Sequence, residues 1–166
     1  APFPKRAAIL APEPTDDVFS MGGTLQRLVA QGHEVYLTYL TSGNIAVPDP
    51  DTRLALDLIS EWGGDPDDAE VKRAAAVIEQ LEGKGRFGED TPEIRQLKGL
   101  IRRGEVRSSA RLFRVPAACI TFLDLPFYEK GRYRRFSAGR EDVDRVAGQL
   151  RRVRPNQIFT TGWAGD

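Results

Sequence analysis

The residues of this sequence best suited to chemistry lie at 12–17, which read Pro-Glu-Pro-Thr-Asp-Asp. This segment carries three carboxylates, on Glu13, Asp16 and Asp17, and two prolines that would keep the loop stiff. Carboxylate oxygens bind hard metal ions, and a carboxylate can also act as a general base. Acidic residues at the start of a helix equally complement the positive end of its dipole. These residues are therefore consistent with a metal-binding site and equally with the acidic first turn of a helix that binds no metal.

A strand, a turn, a helix and a second strand surround the acidic segment. Apolar residues predict a strand over 7–10, helical spacing predicts a helix over 18–30, and residues 35–40 are apolar and β-rich. This order within about 35 residues is typical of a right-handed βαβ unit with parallel strands. Such units bind ligands beyond the carboxyl ends of their strands, and the acidic segment occupies that position. The turn at 41–44 should lie beside it. A functional site is predicted there.

The rest of the chain alternates helices with strands. We predict helices at 52–62, with Asp51 as N-cap, at 67–81, from 91 toward 113, and at 140–153. Strands are predicted at 118–123 and 157–161, and loops at 82–90 and 124–136. Gly22 and Gly23, inside the first predicted helix, suggest a close backbone approach or tight packing. This pattern predicts a single α/β domain over 1–166, with a Rossmann-like, open, mostly parallel sheet and helices on both faces.

The composition argues against membrane-spanning, disulfide-bonded and nucleic-acid-binding classes of protein. No apolar run approaches the roughly 20 residues of a membrane span, and no signal peptide is evident, so no membrane partner is expected. The single Cys119 excludes an internal disulfide and a cysteine zinc cluster, so a reducing, cytoplasmic location is expected. Residues 1–97 carry nine Lys and Arg against seventeen Asp and Glu, whereas residues 98–154 carry fifteen against six. The basic half could bind an anion, but solvated helix arginines are favoured and nucleic acid is not expected.

Several motifs resemble the LmbE-like, or PIG-L, zinc-dependent sugar N-deacetylases. That family opens with a strand, His-Pro-Asp-Asp-Asp/Glu, an apolar pair and Gly-Gly-Thr, and residues 14–25 here read PTDDVFSMGGTL. QRLVAQGHEVYLTYLTSGN is similar to the family's second βα unit, and Arg102-x-x-Glu105 with FLDLPFYEKG at 122–131 resembles its later helix and strand. SMGGTLQRLVAQGHEV, TSGNIAV, LKGLIRRGE and RPNQIF are most similar to the subgroup fused to, or named as, glucosamine-6-phosphate deaminase.

The resemblance implies a hydrolase that uses a zinc-bound water to remove the acetyl group from an N-acetylglucosamine derivative, including a sugar phosphate. It puts Glu13 at the zinc-binding histidine, Asp16 at the zinc-binding aspartate and Thr15 at the general base. Asp17 takes the last acidic position and is the remaining candidate for the base. Zinc is the implied cofactor, and weak or absent binding is expected from this chain. The family's third ligand, a later histidine, would fall beyond Asp166, and His33 lies at the far end of the first predicted helix.

Two further residues, Arg102 and Tyr128, are candidates for substrate binding. Arg102 corresponds to an arginine that helps to hold the sugar in the family, although an ion pair with Glu105 is the alternative. Tyr128 follows a predicted strand, together with arginines at 132, 134 and 135. These side chains could bind a sugar phosphate, and solvated loop arginines are an equal alternative.

Two functions are consistent with the sequence. The first is a zinc-dependent deacetylase of an amino-sugar derivative with a degraded site. The second is a catalytically silent sugar-binding or structural module related to deaminase fusions. The strand at 157–161 would leave Ile158, Phe159 and Trp163 uncovered. We therefore expect a homo-oligomer, or packing against a further segment of chain, to cover that surface.

Overall fold

The computed structural model describes residues 3–85, 88–129 and 138–161 and arranges them as an α/β fold. The strands are β1 (Arg6–Ala11), β2 (Glu34–Tyr39), β3 (Ile120–Phe122) and β4 (Gln157–Thr160). The helices are α1 (Asp16–Phe19), α2 (Gly22–Ala30), α3 (Asp49–Gly63), α4 (Ala69–Gly83), α5 (Pro92–Leu112), α6 (Pro126–Glu129) and α7 (Arg140–Val153). Short 3-10 turns occupy Asn44–Ala46 and Ala117–Cys119. None of the helices in these described ranges is long and apolar enough to cross a lipid bilayer.

All four strands are parallel and lie in the order β3-β2-β1-β4. Central strand β1 pairs with β2 along its whole length, from Arg6 opposite Glu34 to Ala11 opposite Tyr39. On its other side, β1 pairs with β4, which is about 150 residues away in sequence. The predicted α/β class and parallel sheet are confirmed.

The chain divides into two compact units. The first comprises Ala1–Ser42 and Glu105–Asp166, and the second is the continuous segment Gly43–Gly104. The first unit contains the whole sheet together with α1, α2, α6 and α7. The second contains α3 and α4, and α5 begins there before it continues into the first unit.

The first unit has its main apolar core on one face of β1 and β2. Because side chains alternate along a strand, every second residue of each strand points into this core. Its buried residues are Ala7, Ile9, Ala11, Met21, Leu25, Leu28, Val35, Leu37, Tyr39, Val106, Ala110 and Val115. They bring α2 and the end of α5 against this face of the sheet.

The opposite face of the sheet is covered by α7 through polar contacts. Buried Gln149 donates its Nε2 group to Thr38 Oγ1 at 3.0 Å and to Thr121 Oγ1 at 3.2 Å. Arg152 donates to the same Thr121 hydroxyl at 2.6 Å. These bonds satisfy hydroxyls that would otherwise be costly to bury between β2, β3 and α7. Helices therefore lie on both faces of the sheet, as the sequence predicts.

The second unit packs its helices around a smaller apolar core. The buried members are Leu56 of α3, Ala74, Val77 and Leu81 of α4, and Ile94 of α5. α3 begins at Asp49, two residues before the predicted N-cap Asp51. Pro50 lies in its first turn, where the missing amide hydrogen costs nothing because that amide has no helical acceptor.

Four charged residues of the second unit form what we call the lysine–aspartate cluster. Lys98 Nζ lies 2.7 Å from Asp49 and 2.8 Å from Asp90, and Lys84 Nζ lies 2.9 Å from Asp49. Lys84 also contacts Asp90. Lys98 is 5% exposed, so its charge depends on these partners rather than on water. The cluster balances two positive charges with two negative ones and joins the starts of α3 and α5 to the end of α4.

Two predicted elements differ from the structure. The helix predicted at 18–30 is two helices, because Met21 leaves helical geometry (φ −130°, ψ 8°) and buries its side chain in the core. The loop predicted at 124–136 contains α6. No other described residue closely approaches the backbone of Gly22 or Gly23, and the suggested approach to a ligand stays a prediction. A Cβ at Gly22 would meet neighbours at 4.0 Å, an ordinary contact, and one at Gly23 would meet nothing within 4 Å.

Candidate functional site

The strand order identifies one edge of the sheet as the natural place for a ligand. The chain moves outward from β1 through β2 to β3 and then returns to place β4 on the other side of β1. The switch point is therefore between the carboxyl ends of β1 and β4, where open α/β sheets leave a crevice. The loop that follows β1 holds Glu13, Thr15 and Asp16. We call residues 12–17 the first loop.

The first loop is closed by hydrogen bonds between its own ends. The Asp16 amide donates to the Glu13 carbonyl at 3.2 Å, and the Glu13 amide donates to Asp16 Oδ2 at 2.9 Å. The Thr15 carbonyl accepts the amides of Val18 and Phe19 and so starts α1. The Glu13 side chain is exposed, whereas Thr15 and Asp16 are half-buried. One oxygen of the Asp16 carboxylate is thus already used to shape the loop.

Asp17 turns away from the exposed part of the first loop. It is 1% exposed, and its Oδ2 accepts the Tyr39 hydroxyl at 2.7 Å. Burial raises the pKa of Asp17, although the hydrogen bond from Tyr39 and the nearby amides of Asp17 and Val18 oppose this. Within the described residues, Oδ1 of Asp17 has no partner at hydrogen-bond distance. Its predicted role as a general base stays a prediction, and its observed contact is with a core tyrosine.

The loop after β2 lies beside the first loop, as predicted from a parallel sheet. The Thr41 amide donates to the Pro12 carbonyl at 3.1 Å, which extends the pairing of β1 with β2 past the strand ends. Glu129 of α6 holds this second loop in place. Its carboxylate accepts the Thr41 hydroxyl at 3.0 Å, the Ser42 amide at 2.8 Å and the Ser42 hydroxyl at 3.0 Å.

Glu129 was not identified from sequence, because its partners lie 87 and 88 residues away in the chain. A weak signal was present, since an acidic residue follows a predicted strand within FLDLPFYEKG. Asp142 was also missed, although its two partners lie only 15 and 3 residues away in the chain. It accepts the amides of Phe127 and Gly139, both at 2.8 Å, and so joins α6 to the start of α7.

The two predicted substrate-binding residues occupy different units. Tyr128 lies on α6 at the carboxyl edge of the sheet, half-buried, with its ring edge-on to Phe127 at a centroid distance of 4.9 Å. Arg102 lies on α5 in the second unit, where its Nη2 is 3.4 Å from the Ala46 carbonyl. Both substrate roles stay predictions. The arginines at 132, 134 and 135 are outside the described residues.

The donor atoms in the part of the chain that the structure describes do not fit a catalytic zinc site. The described ranges contain no group of three or more His, Cys, Asp or Glu side chains placed to hold a metal ion. His33 accepts the Lys5 amide at 3.3 Å through Nδ1, and both residues precede strands, so this imidazole lies at the amino edge of the sheet. At the first loop, the predicted ligands Glu13 and Asp16 offer only carboxylates. Catalytic zinc sites use three protein ligands, usually with imidazole among them.

Comparison with known proteins agrees with the motifs. The family model PIG-L, described as GlcNAc-PI de-N-acetylase, matches residues 8–166. A glucosamine-6-phosphate deaminase-like protein of Bacteroides thetaiotaomicron is 41% identical over 169 residues, which cover 99% of this chain and 26% of that protein. The chain thus spans about a quarter of the curated relative it matches.

A solved structure supports the fold. The crystal structure of GalB, the 4-carboxy-2-hydroxymuconate hydratase of Pseudomonas putida KT2440, matches with a TM-score of 0.53 and 18% identity, over 93% of this chain and 45% of that chain. At this identity the likeness concerns the fold alone. The PIG-L family model matches nearly the whole chain, and this match shows that the chain belongs to the PIG-L family.

Proposed function

We propose that this PIG-L-family chain binds an amino sugar at the carboxyl edge of its sheet and does not carry out zinc-dependent deacetylation. The observation that supports the proposal is the chemistry of the first loop. Glu13 and Thr15 stand where the family resemblance implies a histidine ligand and a general base, and the Asp16 carboxylate is bonded to the Glu13 amide.

Glu13 and Thr15, which replace the histidine and the general base implied by the family resemblance, both weaken a hydrolytic mechanism. The described part of the chain offers two carboxylates at the first loop and no imidazole, a poor donor set for catalytic zinc. A threonine hydroxyl cannot accept a proton near neutral pH, so the roughly 100- to 10,000-fold contribution of a general base would be lost. We therefore derive no chemical step through zinc.

The side chains of the first loop favour a ligand with a free amine. Glu13 and Asp16 place negative charge at the switch point, and a protonated amino group would form charge-assisted hydrogen bonds with it. The Thr15 hydroxyl can donate to, or accept from, a neighbouring sugar hydroxyl. Acetylation would remove the positive charge of the sugar and with it this attraction. The relative named glucosamine-6-phosphate deaminase-like supports the amino-sugar class, although this chain covers only a quarter of that protein.

Calorimetric titration with glucosamine, N-acetylglucosamine and glucose tests the binding. We expect glucosamine to bind at least about tenfold more tightly than the other two, since a hydrogen bond to a charged group contributes about 1.5–3 kcal/mol. Glu13→Gln should remove most of that preference. Glu79→Gln, which alters an exposed carboxylate on α4, is the matched control and should behave like the unmodified chain. Equal affinity for glucosamine and glucose would contradict the proposal.

A separate assay tests the proposed lack of deacetylase activity. It measures acetate release from N-acetylglucosamine in the presence of added zinc. We expect no release above the blank from the unmodified chain, and none from Glu13→His with Thr15→Asp, because these changes supply at most part of the donor set. Zinc should be lost on extensive dialysis. Stoichiometric zinc retention, or measurable acetate from the unmodified chain, would instead support a deacetylase.

A further inference from the structure

α3 presents an apolar surface on the side that faces solvent. Its core side buries Thr52 and Leu56, at 0% and 2% exposure. The opposite side carries Leu54 at 61% exposure and Leu58 at 62%. A helix at the surface normally keeps its outer face polar, and one that is apolar on both sides is usually covered by a partner.

The outer leucines lie between two exposed carboxylates. Asp51, Leu54, Leu58 and Glu61 follow one another at intervals of three or four residues and so share one face of α3. We call these four residues the acidic face. Trp62, 93% exposed, stands directly beside it. Its ring alone offers about 150–250 Å² of contact area.

α7 carries the opposite pattern. Arg140, Val143, Ala147 and Arg151 share one of its faces at the same helical spacing, with an arginine at each end and small apolar residues between. We call these four the arginine face. Val143 is 60% exposed and Ala147 is half-buried. Arg140 lies 3.8 Å from Asp144 in an exposed pair, which contributes little and can be exchanged for another partner.

The dimensions of the two faces match. At 1.5 Å per residue, the carboxylates of the acidic face are about 15 Å apart along α3, and the arginines of the arginine face are about 16.5 Å apart along α7. Leucines on one helix would meet a shallow valine and alanine surface on the other. With the helices side by side, each carboxylate would come opposite an arginine in either orientation. Complementary charge of this kind fixes the register of a contact and speeds association.

We propose that the chain associates with further copies of itself, the acidic face of one copy packing on the arginine face of the next. Two acidic faces would instead bring like charges together, and Asp65, Asp67 and Asp68 just after α3 would add to the repulsion. Each copy carries both faces, so association continues beyond a dimer unless a ring closes. A contact of two helices is at the small end of specific interfaces, so its Kd should be roughly 10⁻⁵–10⁻³ M.

Sedimentation velocity over protein concentrations from about 10 µM to about 1 mM tests this. The average mass should rise with concentration and fall with added salt, since the charge pairs are exposed. Leu58→Glu should weaken association at least about tenfold, as expected for a central anchor residue. Leu100→Glu is the matched control, because Leu100 is an exposed leucine (52%) outside both faces. Circular dichroism and the unfolding midpoint should be unchanged in both variants.

Charge reversal provides the sharper test. Asp51→Arg with Glu61→Arg gives a copy that is basic on both faces, and Arg140→Glu with Arg151→Glu gives a copy that is acidic on both. Each variant alone should remain monomeric, and an equal mixture should associate at least as strongly as the unmodified chain. A monomeric unmodified chain at 1 mM, a reversed α7 that leaves association unchanged, or a mixture that stays monomeric would each overturn the proposal.

Discussion

Asp17 in the first unit and Asp90 in the second are both withdrawn from water, but their negative charges are stabilised differently. Asp17 accepts a 2.7 Å hydrogen bond from the neutral Tyr39 hydroxyl, and burial raises the pKa of its carboxyl group. Asp90 meets the ammonium groups of Lys84 and Lys98. Partial burial alone would raise the pKa of Asp90, but hydrogen bonds from Lys84 and then Lys98 outweigh it and lower that pKa. Similar carboxylates therefore acquire opposite acid–base behaviour from their partners.

The largest effect should come from breaking the lysine–aspartate cluster. Lys98→Met leaves Asp49 and Asp90 with a single lysine and should cost the second unit about 3–5 kcal/mol of unfolding free energy. Urea unfolding followed through backbone amide NMR signals assigned to each unit measures this. Lys72→Met is the control, because its pair with Asp67 is exposed and should contribute less than about 1 kcal/mol. Equal losses would show that burial of the cluster does not matter.

A smaller effect should follow from removing the partner of Asp17. Tyr39→Phe leaves a buried carboxylate without its 2.7 Å donor and should cost the first unit about 1–3 kcal/mol at neutral pH. The same NMR-detected unfolding measures the change. Tyr36→Phe is the matched control, since the Tyr36 hydroxyl donates to Glu34 at 3.3 Å in an exposed contact. A Tyr39→Phe variant as stable as Tyr36→Phe would mean that Asp17 finds another donor.

The smallest expected effect is a change of folding stability with pH, whose direction should be opposite in the two units. The folded pKa of Asp17 lies above its ordinary 3.8, so its contribution to stability is fully present below 3.8 and is lost as pH rises through the folded value. For Asp49, hydrogen bonds from Lys98 and then Lys84 outweigh burial and lower the pKa. The contributions of Asp49 and Asp90 are thus present above 3.8 and lost as pH falls below it.

Replacing each aspartate by asparagine separates the pH dependence of stability in the first unit from that in the second. Relative to Asp17→Asn, the unmodified first unit should gain stability as pH falls from 7 toward 4. Relative to Asp90→Asn, the unmodified second unit should lose its advantage only below about pH 4. Unfolding titrations at several pH values measure both slopes. Slopes of the same sign in the two units would contradict the assignment of opposite pKa shifts.

Local sequence patterns were sufficient for much of the fold. Alternation of apolar strands with amphipathic helices predicts the α/β class, and the parallel sheet places the turn at Thr41 beside Pro12, as the structure has it. The predicted helix at 18–30 fails at Met21 because burial of that side chain outweighs local helix propensity. The helix is interrupted by the packing of Met21 in the core. This tertiary contact cannot be predicted from the residue pattern at 18–30.

The candidate site was only partly predictable. The first loop follows from its carboxylates and its place after a strand, whereas Glu129 depends on Thr41 and Ser42, which are almost ninety residues away. The lysine–aspartate cluster likewise joins Lys98 to Asp49, a separation of 49 residues. Charge pairing over such distances depends on how helices come together in space. The residue types alone do not specify it.

The position of β4 beside β1 has a consequence for biosynthesis. Pairing β1 with β4 closes a loop of about 150 residues, which costs roughly 1.5 kcal/mol more in chain entropy than pairing β1 with β2. Roughly 120 residues separate the end of β2 from the start of β4, so a ribosome adding about 5–20 residues per second needs about 6–24 s to supply the missing strand. During that interval β1 has an unpaired edge that can recruit a strand from another nascent chain. Chaperone demand should therefore peak between the emergence of β2 and that of β4.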